Sequence, residues 1–183
     1  MNSMRNIKLY SAVSLDGYIA REDGNVDWLS YPQFEIKGSD YGYGNFYKDI
    51  DTTLMGYKTF EFVLNYDGPF PYPNKKNYVF TRQKRDPHKE VEFIQDDIVS
   101  FCQDLKAMEG GSIWLVGGGQ INSLLIKNNL VDEIMLTVFP LILGSGIPLF
   151  PGDLPETGLS LTDTISYKNG IVQLHYSNQI SPS

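Results

Sequence analysis

The segment Ser112-Ile113-Trp114-Leu115-Val116 runs apolar without alternation, meets Gly117-Gly118-Gly119, and continues into the helical pattern Ile121, Leu124, Leu125, Ile126. An unbroken apolar strand is what a sheet requires when both of its faces are covered, and helices that cross between parallel strands provide that cover. A strand of this kind running through glycines into a helix, repeated along the chain, indicates a layered α/β arrangement.

The remainder of the chain repeats the alternation. Ile7 to Val13 reads as a first strand, followed by a long polar connection from Ser14 to Leu29 with Asp-Gly at 16–17 and 23–24. A helix is expected from Asp40 to Ile50, a strand at Thr52 to Met55, and a helix from Tyr57 to Leu64. Strands follow at Asn77 to Thr81 and Val91 to Ile94. Ile98, Phe101, Cys102, Leu105 and Met108 then mark a helix, with Asp96 or Asp97 as its cap. After a buried strand at Glu133 to Phe139, Ile165 to Tyr167 and Ile171 to Tyr176 flank Lys168-Asn169-Gly170 as a hairpin. The expectation is one α/β domain over 1–183, a mostly parallel mixed sheet with an antiparallel C-terminal hairpin.

Composition narrows the function. The 183 residues suit one domain, and 15 basic against 22 acidic side chains leave a net charge of −7. Such a surface repels polyphosphate, so nucleic acid is not an expected partner. The single Cys102 lies on a helical apolar stripe, and no Cys/His zinc spacing occurs, so neither a disulfide nor a metal site is expected. The start, Met1-Asn2-Ser3-Met4-Arg5-Asn6, lacks the apolar core of a signal peptide, and the longest apolar stretch, Ile134 to Leu143, contains Thr137 and Pro140. A cytoplasmic protein without membrane contact is expected.

Three strand ends carry the candidate chemistry. Gly117-Gly118-Gly119, with Gln120 and Ile121 opening a helix, offers close backbone approach and free amides to an anion such as a diphosphate, or makes a tight turn. Gly56-Tyr57-Lys58-Thr59 repeats the arrangement and serves either a phosphate or ordinary capping. Thr81-Arg82 opens a basic cluster with Lys84 and Arg85 that stands out against the acidic whole. Asp16, Asp40 and the pair Asp23/Asp27 are the acidic candidates, each also readable as a turn or cap former. His88 sits in a polar loop and His175 on an expectedly exposed strand position. No Ser/His/Asp or Cys/His set suggests nucleophilic catalysis, so chemistry here requires a cofactor.

The order of these motifs resembles the dihydrofolate reductase superfamily, and within it the reductase domain of the bacterial bifunctional riboflavin-biosynthesis deaminase/reductase. The resemblance covers residues 5 to 177 and rests on Ser14-Leu15-Asp16-Gly17-Tyr18-Ile19-Ala20, Leu54-Met55-Gly56-Tyr57-Lys58-Thr59, Lys76 to Arg82, Val116 to Gly119, and Leu130-Val131-Asp132-Glu133 with Gly144 to Pro151. It implies a dihydrofolate reductase-like three-layer fold and an NADPH-dependent reductase, with NADH as the other option, that transfers hydride to a pterin- or pyrimidine-like molecule. On the resemblance, Ala12, Ile19 and Ala20 line the nicotinamide side. Gly56, Tyr57, Lys58, Thr59, Thr81 and Arg82 line the adenosine side, and Gly117 to Ile121 the diphosphate loop. Asp40, with Asp16 as a second acid, would assist protonation, while Tyr43, Phe46 and Tyr47 pack on the substrate ring and Trp28 closes a loop over it. A homodimer is also implied.

Two features depart from the family pattern. Many relatives carry Arg where this chain has Tyr57, which sets the choice between NADPH and NADH against Arg82, Lys84 or Lys58. The deaminase zinc signature is absent, and Trp28 to Asp49 offers only Lys37 and Lys48 as cations for a ribosyl-phosphate substrate. Two alternatives stand beside the pterin- or pyrimidine-directed reductase: a 5-amino-6-(5-phosphoribosylamino)uracil reductase, and a non-catalytic dinucleotide sensor.

Overall fold

A computed structural model of the chain describes residues 4–65 and 68–178, so the expected lead-in Met1-Asn2-Ser3 lies outside the described residues. The chain lays down β1 (Ile7–Ser14), β2 (Tyr18–Ala20), α1 (Tyr43–Lys48), β3 (Ile50–Gly56), α2 (Tyr57–Asn65), β4 (Lys76–Phe80) and β5 (Glu92–Ile94). It continues with α3 (Ile98–Ala107), β6 (Ser112–Gly117), α4 (Gly119–Lys127), β7 (Glu133–Phe139), β8 (Ile147–Pro148), β9 (Ser160–Ser166) and β10 (Val172–Ser177). Eight strands form one sheet in the order β5-β4-β3-β6-β1-β7-β10-β9. The first six of these run parallel, and β10 and β9 are antiparallel, as the Asn-Gly hairpin requires.

Strand alternation sorts the core into two layers. Leu9, Leu54, Phe80, Ile113 and Leu115 face α3 and α4, where Cys102, Leu105, Leu125 and Ile126 meet them. Their neighbours Tyr10, Met55, Val79 and Trp114 face the other way, onto Phe46 of α1 and Phe60 of α2. Asp97 caps α3 by accepting from the Ser100 amide at 2.7 Å, which settles the choice between Asp96 and Asp97. Burial pushes the Cys102 thiol up to about 12, the state of an inert core residue. Two buried cations tie the lower edge: Arg5 pairs with Asp51 and donates to Thr52 and the Gly111 carbonyl, and Lys106 pairs with Asp132.

Four local expectations are corrected. The helix expected from Asp40 to Ile50 is only Tyr43–Lys48, because Gly42 takes a left-handed φ of 78° ahead of it. The polar connection after β1 contains β2 and a 3-10 turn at Asp27–Ser30. The hairpin's first strand is longer, Ser160–Ser166, since this edge strand is exposed along nearly its whole length, Leu161 and Ile165 included, and has no buried face to read. His175 is half-buried rather than exposed, and lines a cleft of about 280 Å³ with Lys8, Glu133 and Met135. Among the described residues, no helix is long and apolar enough to cross a membrane.

Candidate active site

Strands β3 and β6 are neighbours, and Met55 pairs with Gly117 at their carboxyl ends. From β3 the chain passes through Gly56 into α2 on one face; from β6 it passes through Gly117–Gly119 into α4 on the other. A crevice opens where adjacent parallel strands send their helices to opposite faces, and ligands of open α/β sheets bind there.

The glycines are needed for two reasons. Gly117 has a φ of +110°, which side-chain-bearing residues rarely adopt, and the Gly117–Gly118 peptide is cis. Gly119 lies so tightly under the loop after β8 that a Cβ would sit 2.7 Å from Pro151 Cδ and closer still to the Pro148 carbonyl. The start of α4 has no side-chain cap. The Ile121 and Asn122 amides both close onto the Gly118 carbonyl, at 3.0 and 3.1 Å, and the Gly119 and Gln120 amides ahead of them have no intrahelical partner. Such a terminus attracts an anion. Gly56 faces Ile121, and Gly118 faces the Thr59 hydroxyl, so the two strand ends close on each other.

The nicotinamide-side candidates join the same crevice. Ala20 of β2 pairs with Ile147 of β8, and Pro148 and Pro151 then rest on Gly119. Two residues absent from the sequence reading hold that loop. Asn122 donates to the Leu149 carbonyl at 3.1 Å, and the Ser123 hydroxyl donates to the Pro151 carbonyl at 2.8 Å. Both side chains are buried. The signal was present in the sequence: two polar residues inside an otherwise apolar helix face require partners. Asp16 belongs to the same scaffold. Its carboxylate accepts from Ser14 at 2.6 Å and from the Leu143 and Gly144 amides, and the Ser14 hydroxyl first, then these amides, hold its pKa below the usual carboxylate range.

At the mouth, Ala12, Tyr41, Leu143 and Tyr167 all pack against the cluster of Trp28, Phe34, Phe139 and Ile171. Tyr10 stacks on Phe46 at 4.3 Å, and its hydroxyl meets Thr137 and Gln173. Gln173 donates to Thr137 at 3.0 Å and accepts from the Tyr167 hydroxyl at 3.0 Å. Asp40 lies near both Tyr10 and Tyr167, and its field, with burial as the larger cause, pushes their pKa values up. The Asp40 carboxylate is itself a cap: it accepts from the Gly44 amide at 2.8 Å and the Gly42 amide at 3.0 Å, which hold it below the usual carboxylate range. Tyr43 stacks on Tyr47 at 5.5 Å. Phe46, expected to pack on a substrate ring, is buried beneath Tyr10. Trp28, expected to close over the ring, is instead fully buried edge-on to Phe139 at 5.1 Å, because the 3-10 turn at Asp27–Ser30 directs it into the core.

Of the residues expected to face an adenosine, Tyr57 opens α2 and Lys58 is exposed beside it. The Thr81 hydroxyl is engaged in a turn with Gln83, and Arg82 points to solvent. The guanidinium of Arg85, a member of the basic cluster that Thr81-Arg82 opens, lies 3.7 Å from the centroid of the Tyr57 ring. Among the described residues no group of His, Cys, Asp or Glu has the spacing of a metal site.

Comparison with known proteins places this geometry. Residues 5–173 match the RibD C-terminal domain family. The uncharacterized protein YwjB of Bacillus subtilis is 43% identical over 175 residues, spanning 94% of this chain and 97% of that protein. A crystal structure from Shewanella sp. PV-4, described as a riboflavin biosynthesis protein, superposes with a TM-score of 0.85 at 29% identity, over 96% of this chain and 99% of its own. The Thermotoga maritima diaminohydroxyphosphoribosylaminopyrimidine deaminase/5-amino-6-(5-phosphoribosylamino)uracil reductase shares the fold, with a TM-score of 0.69 at 17% identity. That match takes in 96% of this chain but only 57% of the larger protein.

Proposed function

The chain belongs to the RibD C-terminal domain family, and on that premise we propose that it is a nicotinamide-dinucleotide-dependent reductase of a pterin- or pyrimidine-like heterocycle. The observation that carries the proposal is the crevice between β3 and β6, where Gly56 and Gly117–Gly119 bring two helix starts together on opposite faces of the sheet. The residues fit a dinucleotide: an uncapped helix start for the diphosphate, glycines at the ends of both strands, and a packed run from Ala20 through Ile147 and Pro148 to Gly119 beside them. Gly117 to Ile121 would hold the diphosphate, Ala12, Ile19 and Ala20 the nicotinamide, and Gly56, Tyr57, Lys58, Thr59, Thr81 and Arg82 the adenosine end. The dinucleotide supplies a hydride to an electrophilic carbon of the acceptor. We assign the cofactor as NADPH, the compartment as the cytoplasm, and residues 1–183 as one domain that works as a homodimer.

The protein's own contribution is orientation and charge. Asp40 is held ionised by two amides, so it anchors a donor edge of the acceptor and does not store the proton, which reaches the acceptor from water. Tyr43 and Tyr47 provide an aromatic wall. Asp16 keeps the turn between β1 and β2 fixed to the 143–144 segment, and so keeps Ile19 and Ala20 in place.

The sign of the pH dependence follows from Asp40. Its folded pKa is depressed, so its charge and its cap are present above the unfolded value of about 3.9 and are lost only as pH falls through the lower folded value. The rate profile is expected to show no limb from Asp40 between neutrality and about pH 4. Asp40→Asn is expected to lower kcat/KM by about 10- to 100-fold with unchanged dinucleotide affinity. Steady-state kinetics over pH on the first acceptor found check both statements.

A second reading, 5-amino-6-(5-phosphoribosylamino)uracil reduction, draws support from the activity named for the Thermotoga relative. Against it stands the segment from Trp28 to Asp49, whose two lysines are Lys48, bound to Asn45, and the exposed Lys37. An acceptor screen that follows loss of reduced-nicotinamide absorbance, with each pyrimidine offered both with and without its phosphate, separates the two. Turnover of the phosphorylated substrate alone would favour the second reading. Binding of dinucleotide with no acceptor ever reduced would leave the sensor.

A further inference from the structure

Tyr57 opens α2 directly after Gly56, and a guanidinium from elsewhere in the chain lies over its ring. Arg85 reaches back from the loop after β4 and lies 3.7 Å over the Tyr57 ring. We propose that Tyr57 and Arg85 form a stacked clamp for the 2′-phosphate of NADPH, with Arg85 as the residue that selects NADPH over NADH. This rests on the dinucleotide-dependent reading above and deepens it.

Three observations place the clamp. First, Tyr57 directly follows Gly56, and Gly56 abuts Ile121 in the first turn of α4, so the stacked pair flanks the diphosphate crevice on the side away from Ala20 and Gly146. A dinucleotide with its diphosphate at Gly117–Gly119 and its nicotinamide beside Ala20 must set its adenosine ribose on the α2 side. Second, the Arg85 Nε is buried without a hydrogen-bond partner, and among the described residues Arg85 makes no ion pair. Its terminal nitrogens are the donors left to an external anion. Third, the ring does for Arg85 what an ion pair does elsewhere. Stacking fixes the plane of the guanidinium and removes rotamer freedom before any ligand arrives, while leaving its charge uncompensated. Tyr57 is in turn fixed by Phe60 and Phe93, at 6.0 and 6.1 Å. A planar fork held in this way matches the oxygens of a phosphate monoester, and exposed Arg82 and Lys84 add positive potential around it.

The test uses equilibrium binding rather than turnover, with NADPH, NADH and the fragment 2′,5′-ADP as probes. Wild type is expected to bind NADPH at least about 10-fold more tightly than NADH, a ratio worth one charge-assisted contact. Arg85→Ala is expected to weaken NADPH and 2′,5′-ADP by about 10- to 100-fold and to move NADH by less than about threefold. Arg85→Lys should recover only part of the loss, because an ammonium keeps the charge but not the planar fork. Tyr57→Phe should be neutral and Tyr57→Ala should behave like Arg85→Ala, which separates a stacking shelf from a hydroxyl contact. Thermal melting of each variant confirms that it is folded. Equal loss of NADPH and NADH, or no change in either on Arg85→Ala, overturns the clamp while leaving the reductase reading intact. Failure of folded wild type to bind either dinucleotide overturns that reading and the clamp together.

Discussion

Gly119→Ala is expected to abolish dinucleotide binding, raising the NADPH dissociation constant by at least about 100-fold, and to cost about 1–3 kcal/mol of stability. A Cβ at 119 would meet the Pro148 carbonyl and the Pro151 ring, and neither can yield without moving the segment that Asn122 and Ser123 hold by hydrogen bonds. The loop must lift, the pairing of β8 with β2 loosens, and Ala20, proposed to face the nicotinamide, shifts with it. The α4 amides shift in the same movement. Binding therefore suffers more than folding, since the damage is concentrated at the ligand. Gly158→Ala is the matched control, because a Cβ there has nothing within 4 Å and no positive φ opposes it. Calorimetric titration and thermal melting of the two variants side by side check the claim. Equal NADPH affinity in both would show that the glycine loop is only a turn.

Trp28→Ala is expected to remove about 3–5 kcal/mol of stability, the range for deleting a buried tryptophan. The indole is fully buried between Phe34, Phe139 and Ile171, and its Nε1 has no hydrogen-bond partner. It follows that Trp28→Phe should retain most of the stability, since no hydrogen bond is lost with the indole nitrogen. A mobile lid would give the opposite pattern, a large change in KM with an unchanged denaturation midpoint. Chemical denaturation of the two variants, read beside their kinetics, distinguishes a core residue from a gate.

The parts of this molecule that were legible in the sequence are those fixed by local periodicity. Ile113 to Val116 reads as a doubly buried strand and is one, and Asp97 caps the helix whose stripe contains Cys102 and Leu105. Ser14 to Ala20, Leu54 to Thr59 and Val116 to Gly119 fixed the fold by their order, which no single motif could do. What remained illegible depends on long-range contact. Arg85 is 28 positions from Tyr57, and nothing in the local pattern of either predicts that one stacks on the other. Trp28 looked like a loop aromatic because its partners Phe139 and Ile171 lie over a hundred residues away. The helix α1 is shorter than the pattern suggests because Asp40 and Gly42 form the cap that precedes it, with Gly42 in a left-handed conformation, and Ile50 already belongs to β3.

The most direct test of the central claim is a titration of the purified full chain with NADPH and NADH, following Trp114 emission and energy transfer to the reduced nicotinamide. Trp114 lies on β6 three residues before Gly117, with its indole donating to the Tyr10 carbonyl at 3.2 Å, close enough to report on the crevice. The account predicts saturable binding of NADPH at one site per chain, with a dissociation constant in the micromolar range and weaker binding of NADH. Folded protein that leaves both signals unchanged at millimolar dinucleotide would contradict it.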